Sequence, residues 1–189
     1  MRGRRRTLTR VLVALVLAAL APAASALEVV DDRGLKIALE HPPARIVTLA
    51  PNLAEIAFAA GAGGRVVGVS MFTDYPPVAT RLPQVSASGR TDFEAIVRLD
   101  VDLALAWVSG NRPADLERLG RLGIPVFATE ARRLADIPRL VRTIGRFAGD
   151  PAAAEASALA FEQAVAPRCA RAMRHAPRCA SSTRSGTSR

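Results

Sequence analysis

The chain has 189 residues, half of them hydrophobic, and a formal net charge of +9. The positive charge lies at the two ends, because residues 1–26 carry five arginines and residues 167–189 carry six, with no acidic residue in either segment. The 15 basic and 17 acidic residues that remain give residues 27–166 a net charge of −2. Such a domain lacks the basic surface that nucleic-acid binding requires, so no nucleic-acid partner is expected.

The first 26 residues predict an export signal. Their arginines are followed by an apolar run, Val11–Leu20, and then by the small residues Ala24-Ser25-Ala26. This is the order of a cleavable signal peptide, and the run is shorter than the ~20 residues of a membrane span. We expect a mature protein that begins near Leu27 and resides in the periplasm. The alternative is a signal segment that stays attached as a membrane anchor.

Strands and helices are predicted to alternate along the rest of the chain. The first half reads as a hairpin (27–31 and 35–39), a strand (46–49), a helix (53–60) and a strand (66–69). The second half reads as a short helix opened by a capping box at Thr91-Asp92-Phe93-Glu94, a strand (103–107), a helix (113–122), a strand (124–128) and a helix (134–148). This alternation predicts an α/β fold with a small parallel sheet flanked by helices. Gly61-Ala-Gly-Gly64 follows a helix and lacks the lysine of a phosphate-binding loop, so it is interpreted as a helix cap.

A long helix is predicted to leave this domain. Asp150 is a favourable N-cap, Pro151 occupies the first helical position, and an alanine-rich stretch continues to about Val165. We therefore assign residues 27–149 to one α/β lobe and residues 150–166 to the start of a joining helix.

Residues 167–189 differ in composition from the preceding chain, since they are rich in arginine, serine, cysteine and threonine. A neighbouring reading frame of this segment is able to encode a strand with aromatic residues. Our hypothesis is therefore a frameshift that replaces a second lobe with an aberrant, disordered tail, and the alternative is a genuine disordered basic tail. Cys169 and Cys179 both lie here, and neither a structural disulfide nor a metal site is expected.

Five segments carry the resemblance to a known family. They are Arg45-Ile-Val-Thr-Leu-Ala-Pro-Asn-Leu-Ala-Glu55, Gly68-Val-Ser-Met-Phe-Thr-Asp-Tyr-Pro-Pro77, Leu82-Pro-Gln-Val85, Asp102-Leu-Ala-Leu-Ala-Trp107 and Leu122-Gly-Ile-Pro-Val126. In order and spacing the chain resembles the periplasmic solute-binding proteins of ABC importers that have a rigid helical backbone, particularly the cobalamin-binding branch. The resemblance implies two α/β lobes joined by one long helix, with the ligand between them. Only the N-terminal lobe is matched here.

The resemblance implies ligand contacts where predicted strands end. The turn Pro51-Asn52, Tyr75 and Trp107 follow strands at one sheet edge and would line the cleft for a large, mostly apolar ligand such as cobalamin. From the residues alone, the alternative is that Trp107 closes the core and Tyr75 braces a proline turn. Where cobalamin receptors often carry an aromatic residue, this chain has Ser86-Ala87-Ser88, and the loss of a stacking ring weakens binding by ~1 kcal/mol.

The family docks on its membrane partner through exposed carboxylates, and Glu94 matches the docking position of this lobe. The alternative role of Glu94 is to cap its helix. The resemblance thus implies a monomeric receptor without enzymatic activity or cofactor. It would capture cobalamin and deliver it to an ABC importer permease in the inner membrane.

Other functions remain as alternatives. A receptor of the same fold for an iron siderophore or haem is the first of them, and arginines that converge on the cleft would favour an anionic siderophore. An exported hydrolase would use Ser70 or Ser109, but the chain has no Gly-x-Ser-x-Gly turn and His41 precedes the sheet. A basic-tailed structural or nucleic-acid-binding protein would depend on a genuine tail. If the second lobe is missing, we expect defective ligand capture, because the contact area collapses.

Overall fold

The computed structural model describes residues 27–87, 90–148 and 150–175. The strands in this part of the chain are β1 (Leu27–Val30), β2 (Lys36–Leu39), β3 (Ile46–Thr48), β4 (Val66–Gly68), β5 (Ser86–Ala87), β6 (Arg90–Thr91), β7 (Leu103–Trp107) and β8 (Val126–Thr129). The α-helices are α1 (Pro51–Ala59), α2 (Phe93–Arg98), α3 (Pro113–Arg121), α4 (Asp136–Ala148) and α5 (Pro151–His175). None of the helices described here is both long enough and apolar enough to cross a membrane.

Four parallel strands form the central sheet in the order β4-β3-β7-β8. The predicted α/β fold with a small parallel sheet is therefore confirmed. Two antiparallel hairpins lie outside this sheet, β1–β2 and β5–β6. The first of these hairpins was also predicted.

The sheet is buried on both faces, because alternate residues of each strand point to opposite sides. Large side chains face a core formed with α1, α4 and α5: Leu103, Leu105 and Phe127. Small side chains face a second core formed with α2 and α3: Ala104, Ala106 and Ala128. The result is a three-layer lobe with helices on both faces of the sheet.

Helix boundaries differ from the prediction for local reasons. Helix α1 begins at Pro51, two residues earlier than predicted, because proline is favoured at the first helical position. Gly61 follows the helix with φ +77°, so the glycine-rich segment does cap it. Helix α4 begins at Asp136, two residues later than predicted, since its carboxylate accepts hydrogen bonds from the amides of Arg132 and Arg133 and holds them in a turn.

The predicted capping box is wrong in its details. Asp92, not Thr91, is the N-cap of α2, and its Oδ1 accepts a hydrogen bond from the amide of Ala95 at 2.9 Å. The hydroxyl of Thr91 instead donates to Asp115 Oδ2 at 3.1 Å. An aspartate and a threonine are both good caps, and the longer-range contact of Thr91 decides between them.

Helix α5 begins as predicted but continues further. Asp150 Oδ1 accepts a hydrogen bond from the amide of Ala153, which confirms the N-cap. The helix then runs from Pro151 to His175, ~37 Å at 1.5 Å per residue. The prediction of disorder is wrong for residues 167–175, where alanine, arginine and methionine favour a helix after Pro167. The predicted signal peptide, Ser88 and residues 176–189 lie outside the described residues.

Helices α4 and α5 pack closely against each other. Gly145 lies at the crossing, where a Cβ would overlap the Cβ of Ala154. Beside the crossing, the guanidinium of Arg142 donates to Glu155 at 2.7 and 3.0 Å and to Glu162 at 2.7 and 3.2 Å. We call these three residues the Arg142 clasp. It connects two turns of α5 to the lobe through a single side chain.

The turn between β1 and β2 attaches to the outer edge of β8. Asp31 is buried, and its carboxylate accepts hydrogen bonds from the amides of Arg33, Leu35 and Ala128 and from the Arg33 guanidinium. The amide of Asp32 donates to the Ala128 carbonyl, and Arg33 donates to that of Val126. At the opposite edge, Val69 pairs with residues 83–85 just beyond β4.

Candidate functional site

A pocket of about 220 Å³ opens at the carboxyl edge of the parallel sheet. Its lining comes from the segments that follow β3, β4 and β7, from the β5–β6 hairpin and from the first turn of α3. The lining residues are Leu49, Ala50, Pro51, Ser70, Met71, Phe72, Ser86, Arg90, Thr91, Trp107, Gly110, Asn111, Arg112 and Asp115.

The strand order explains why a pocket forms here. From β3 the chain passes through α1 to β4 on one side, and from β7 it passes through α3 to β8 on the other. Helix α1 contributes to one core and α3 to the other, so the segments after β3 and β7 diverge. Such a reversal leaves a crevice outside the carboxyl ends of the strands, where open α/β sheets bind ligands.

Trp107, the last residue of β7 and the only tryptophan, is held from several directions. Its backbone amide donates to Asn111 Oδ1 at 2.7 Å, and Asn111 Nδ2 donates to the Leu49 carbonyl at 2.9 Å. Gly110 lies against the indole ring so closely that a Cβ at this position would overlap it. The ring packs against the core and also lines the pocket, so both sequence-based interpretations of Trp107 describe part of its environment.

Two buried polar atoms lie at this edge without a hydrogen-bond partner among the described residues. They are Thr48 Oγ1 and Trp107 Nε1, in the last residues of β3 and β7. The carboxylate of Glu130, nearby, accepts hydrogen bonds from the amide and hydroxyl of Ser109. Although desolvation raises the pKa of Glu130, the bonds from Ser109 and the charge of Arg132 help to lower that pKa from its ordinary value.

Phe72 forms an exposed part of the pocket wall. It follows β4 in a loop, and 77% of its surface is accessible. Its φ is +68°, in the left-handed region that non-glycine residues rarely adopt. A hydrophobic ring held in such a conformation and left in solvent fits a ligand-contacting role better than a packing role.

The structure brings together two of the four predicted ligand-binding residues. Pro51 and Trp107 both line the pocket. Asn52 adjoins Pro51 in the first turn of α1 but does not line it, and Tyr75 lies in the loop beyond Phe72 with 60% of its surface exposed. Ligand contacts of these four residues therefore stay predictions.

The pocket side chains that sequence reasoning missed include Phe72, Arg90 and Arg112. Phe72 lies in one of the five segments that resemble the family, shortly after a predicted strand. The sequence could therefore have indicated it as a candidate ligand contact. The two arginines come from separate segments and gave no signal, because only the folded chain brings them to one pocket.

Glu94, the predicted docking residue, lies elsewhere on the surface. Its side chain is 91% exposed and approaches Arg98 at 3.9 Å. It borders a shallow depression of about 430 Å³ whose other lining residues are Phe93, Val97, Arg98, Arg118 and Leu122. Arg118 stacks on the ring of Phe93 at 4.1 Å. This surface offers both charge and apolar area to a partner.

The serines proposed for a hydrolase have other partners. Ser109 donates to Glu130, and Ser70 lies 3.3 Å from the hydroxyl of Thr73. His41 is exposed in the segment after β2. The described residues therefore show no contact between these serines and His41.

A parallel α/β lobe with a crevice at its strand reversal and a long helix beside it is the architecture of one lobe of a solute-binding protein. The chain belongs to the periplasmic binding protein family, whose model matches residues 46–178. This family of solute-binding proteins is non-enzymatic in general.

Curated relatives carry a common name. The vitamin B12-binding protein of Pectobacterium carotovorum is 39% identical over 123 residues, which is 65% of this chain and 45% of the relative. That of Vibrio cholerae is 35% identical over 127 residues, 67% of this chain and 46% of the relative. The chain thus spans less than half the length of these relatives.

Solved structures agree on the fold. The periplasmic vitamin B12 binding protein of Vibrio cholerae aligns with a TM-score of 0.66 and 33% identity, covering 69% of this chain and 51% of that structure. The periplasmic heme-binding protein of Roseiflexus sp. RS-1 aligns with a TM-score of 0.60 and 29% identity, covering 70% and 51%. Both matches cover about half of the solved chain, as expected for one lobe.

Proposed function

We propose that this lobe forms one wall of the ligand site in the periplasmic receptor of an ABC importer, and that the ligand is cobalamin or a related corrinoid. The observation that carries the proposal is the pocket at the strand reversal, with Trp107, Phe72 and Pro51 in its wall. A corrin has broad apolar faces and a rim of amides, which suit aromatic and small apolar surface with a few polar groups. The names of the curated relatives support the same ligand class.

Haem is the second candidate, because structural relatives at 25% and 29% identity are heme-binding proteins. Haem iron is usually held by an axial histidine, tyrosine, cysteine or methionine. Of these types, Met71 is the one in the pocket lining described above, and it offers a weak thioether ligand. A corrinoid brings its own axial ligands to cobalt, so the composition of the pocket favours it.

A fluorescence titration tests the ligand proposal directly. Trp107 is the sole tryptophan, and corrinoids and haem absorb where indole emits, so a ligand in the pocket quenches its emission. We expect weak but saturable quenching of the full chain by cyanocobalamin, because one lobe supplies only part of the contact area, and still weaker quenching by haemin. N-acetyltryptophanamide corrects for absorption by the free ligand. No saturable quenching by cyanocobalamin, together with no retention in equilibrium dialysis, would contradict the proposal.

We also propose that Glu94 contacts a basic group of the permease. A Glu94→Arg substitution is expected to weaken association of the ligand-loaded receptor with the permease in proteoliposomes by at least tenfold, because it replaces attraction by repulsion. Glu117→Arg is the matched control, since Glu117 also lies 3.9 Å from an arginine four residues later. Equal losses in the two variants would show a general charge effect and remove the role assigned to Glu94.

A further inference from the structure

Two arginines line the pocket without an acidic partner among the described residues. Arg90 is in β6 and Arg112 precedes α3, and both are exposed. Six other arginines of the lobe do lie within ion-pairing distance of a carboxylate: Arg33, Arg98, Arg121, Arg132, Arg139 and Arg142. The guanidinium groups at the pocket are thus available to an anion from solution.

One hydrogen bond holds the two arginine-bearing segments together. Thr91 follows Arg90, and Asp115 lies three residues after Arg112. The Thr91 hydroxyl donates to Asp115 Oδ2 at 3.1 Å. This contact joins the β5–β6 hairpin, which carries Arg90, to the first turn of α3, which follows Arg112. The arginines therefore belong to a defined arrangement and not to two independent loops.

The charge balance of the pocket lining is positive. Asp115 is its one carboxylate, and that carboxylate already accepts the hydrogen bond from Thr91. Against it stand Arg90 and Arg112, with the hydroxyl of Ser86 close by. Guanidinium groups bind phosphate and carboxylate oxygens with planar, bidentate geometry. The aromatic wall at Phe72 and Trp107 supplies the complementary apolar surface.

We propose that Arg90 and Arg112 bind an anionic oxygen group of the ligand and so select ligands that carry one. The group is the phosphodiester of a complete corrinoid, or a carboxylate if the ligand is haem or a siderophore. This inference rests on the proposed function, because it assigns a specificity to the same pocket. Apolar and aromatic contacts hold the ring system, and the arginines distinguish a ligand with the anionic group from one without it.

Cobinamide and cobinamide phosphate form a matched pair of probes, because they differ by the phosphate alone. We expect the full chain to bind cobinamide phosphate about tenfold more tightly than cobinamide in the Trp107 quenching assay, and added salt to reduce this preference. In the Arg90→Gln/Arg112→Gln double variant the two affinities should become equal. For haem, the same comparison uses haemin and its dimethyl ester.

Arg133→Gln is the control for loss of a positive charge outside the pocket, since Arg133 is exposed and does not line the pocket. It should keep the full preference for the phosphate, and thermal unfolding should show that all variants are folded. A preference retained by the double variant, or lost equally in Arg133→Gln, would overturn the inference while leaving the proposed function intact. Absence of quenching by every corrinoid and by haemin would instead refute the proposed function.

Discussion

Phe72 is a residue whose conformation and exposure both oppose stability. A left-handed backbone costs a non-glycine residue ~1–2 kcal/mol, and its ring remains largely in solvent. Glycine adopts this backbone without strain, but it loses ~0.5–1 kcal/mol through the greater entropy of the unfolded chain. The two effects nearly cancel, so the value of phenylalanine at this position lies in the ring.

We therefore expect Phe72→Gly to separate stability from binding. Its free energy of unfolding should stay within ~1 kcal/mol of the wild type, because strain relief offsets the added chain entropy. Its dissociation constant for cyanocobalamin should rise about fivefold, since a lost aromatic contact is worth ~1 kcal/mol. Urea unfolding and the quenching titration give the two quantities.

Asp100→Gly is the control for this substitution. Asp100 is also a non-glycine residue with positive φ, +49°, and it does not line the pocket. It should leave ligand affinity unchanged. A Phe72→Gly variant with wild-type affinity would mean that the ring makes no ligand contact.

The sequence predicts the location of a residue well when that residue begins or ends a regular helix or strand. Pro51 begins a helix directly after a strand and Trp107 ends another strand, so both were predicted at the correct edge. Tyr75 lies only three residues beyond Phe72, but an irregular loop separates them and the spacing of strands says nothing about its path. Arg90 and Arg112 meet through a tertiary hydrogen bond, which no local pattern encodes.

Among the elements, the first hairpin depends on one buried carboxylate. Asp31 accepts four hydrogen bonds, three from amides and one from the Arg33 guanidinium, and one of the amides belongs to β8. Hydrogen bonds to a buried charged group contribute more than neutral ones, and the donors left behind lose their partner. The position of the hairpin against the sheet should therefore be sensitive to this residue.

We expect Asp31→Ala to lower the free energy of unfolding by ~3 kcal/mol, because it leaves several donors without an acceptor. Chemical denaturation measures this loss, and hydrogen exchange should show a faster-exchanging amide at Ala128. Glu40→Ala, an exposed residue just after β2, should change stability by less than ~0.5 kcal/mol. Equal effects of the two substitutions would argue against a special role for Asp31.

The elements themselves were largely predictable, because strand and helix alternate with clear boundaries at glycine and proline. The errors in the element boundaries had two causes, a hydrogen bond between residues far apart in sequence and an underestimated local preference for helix. Thr91 bonds to Asp115 and leaves the cap of α2 to Asp92, and the helix-forming residues after Pro167 extend α5 beyond the predicted break.

For the molecule as a whole, the Arg142 clasp is one of the contacts that attach α5 to the lobe. The hydrogen bonds from Arg142 lower the pKa of Glu155 and of Glu162 from their ordinary value of 4.5, and they raise that of Arg142. A carboxylate whose pKa is lower in the folded state stabilises that state fully above its unfolded pKa. This contribution is lost as the pH falls below 4.5 and through the lower folded values.

We expect Arg142→Gln to reduce the melting temperature at neutral pH and to flatten its decline below pH 4.5. Circular dichroism melts across this range measure both effects. Asp32 and Asp136 also have lowered pKa values and titrate in the same region, so some acid sensitivity should remain. Arg98→Gln, which removes a loose exposed pair, should reproduce the wild-type profile. An unchanged profile in Arg142→Gln would show that the clasp contributes nothing to the attachment of α5.

The turn at Asp31–Arg33 has a consequence for the behaviour of many copies together. A parallel sheet with a free edge offers unpaired amides and carbonyls to any other extended chain. Here the outer edge of β8 is already hydrogen-bonded to that turn, while β4 has only three residues and is followed directly by the pairing of Val69. At high protein concentration, neighbouring molecules therefore find few unpaired edge groups for edge-to-edge polymerisation. Substitutions that detach the hairpin should be selected against, because they promote aggregation as well as reduce stability.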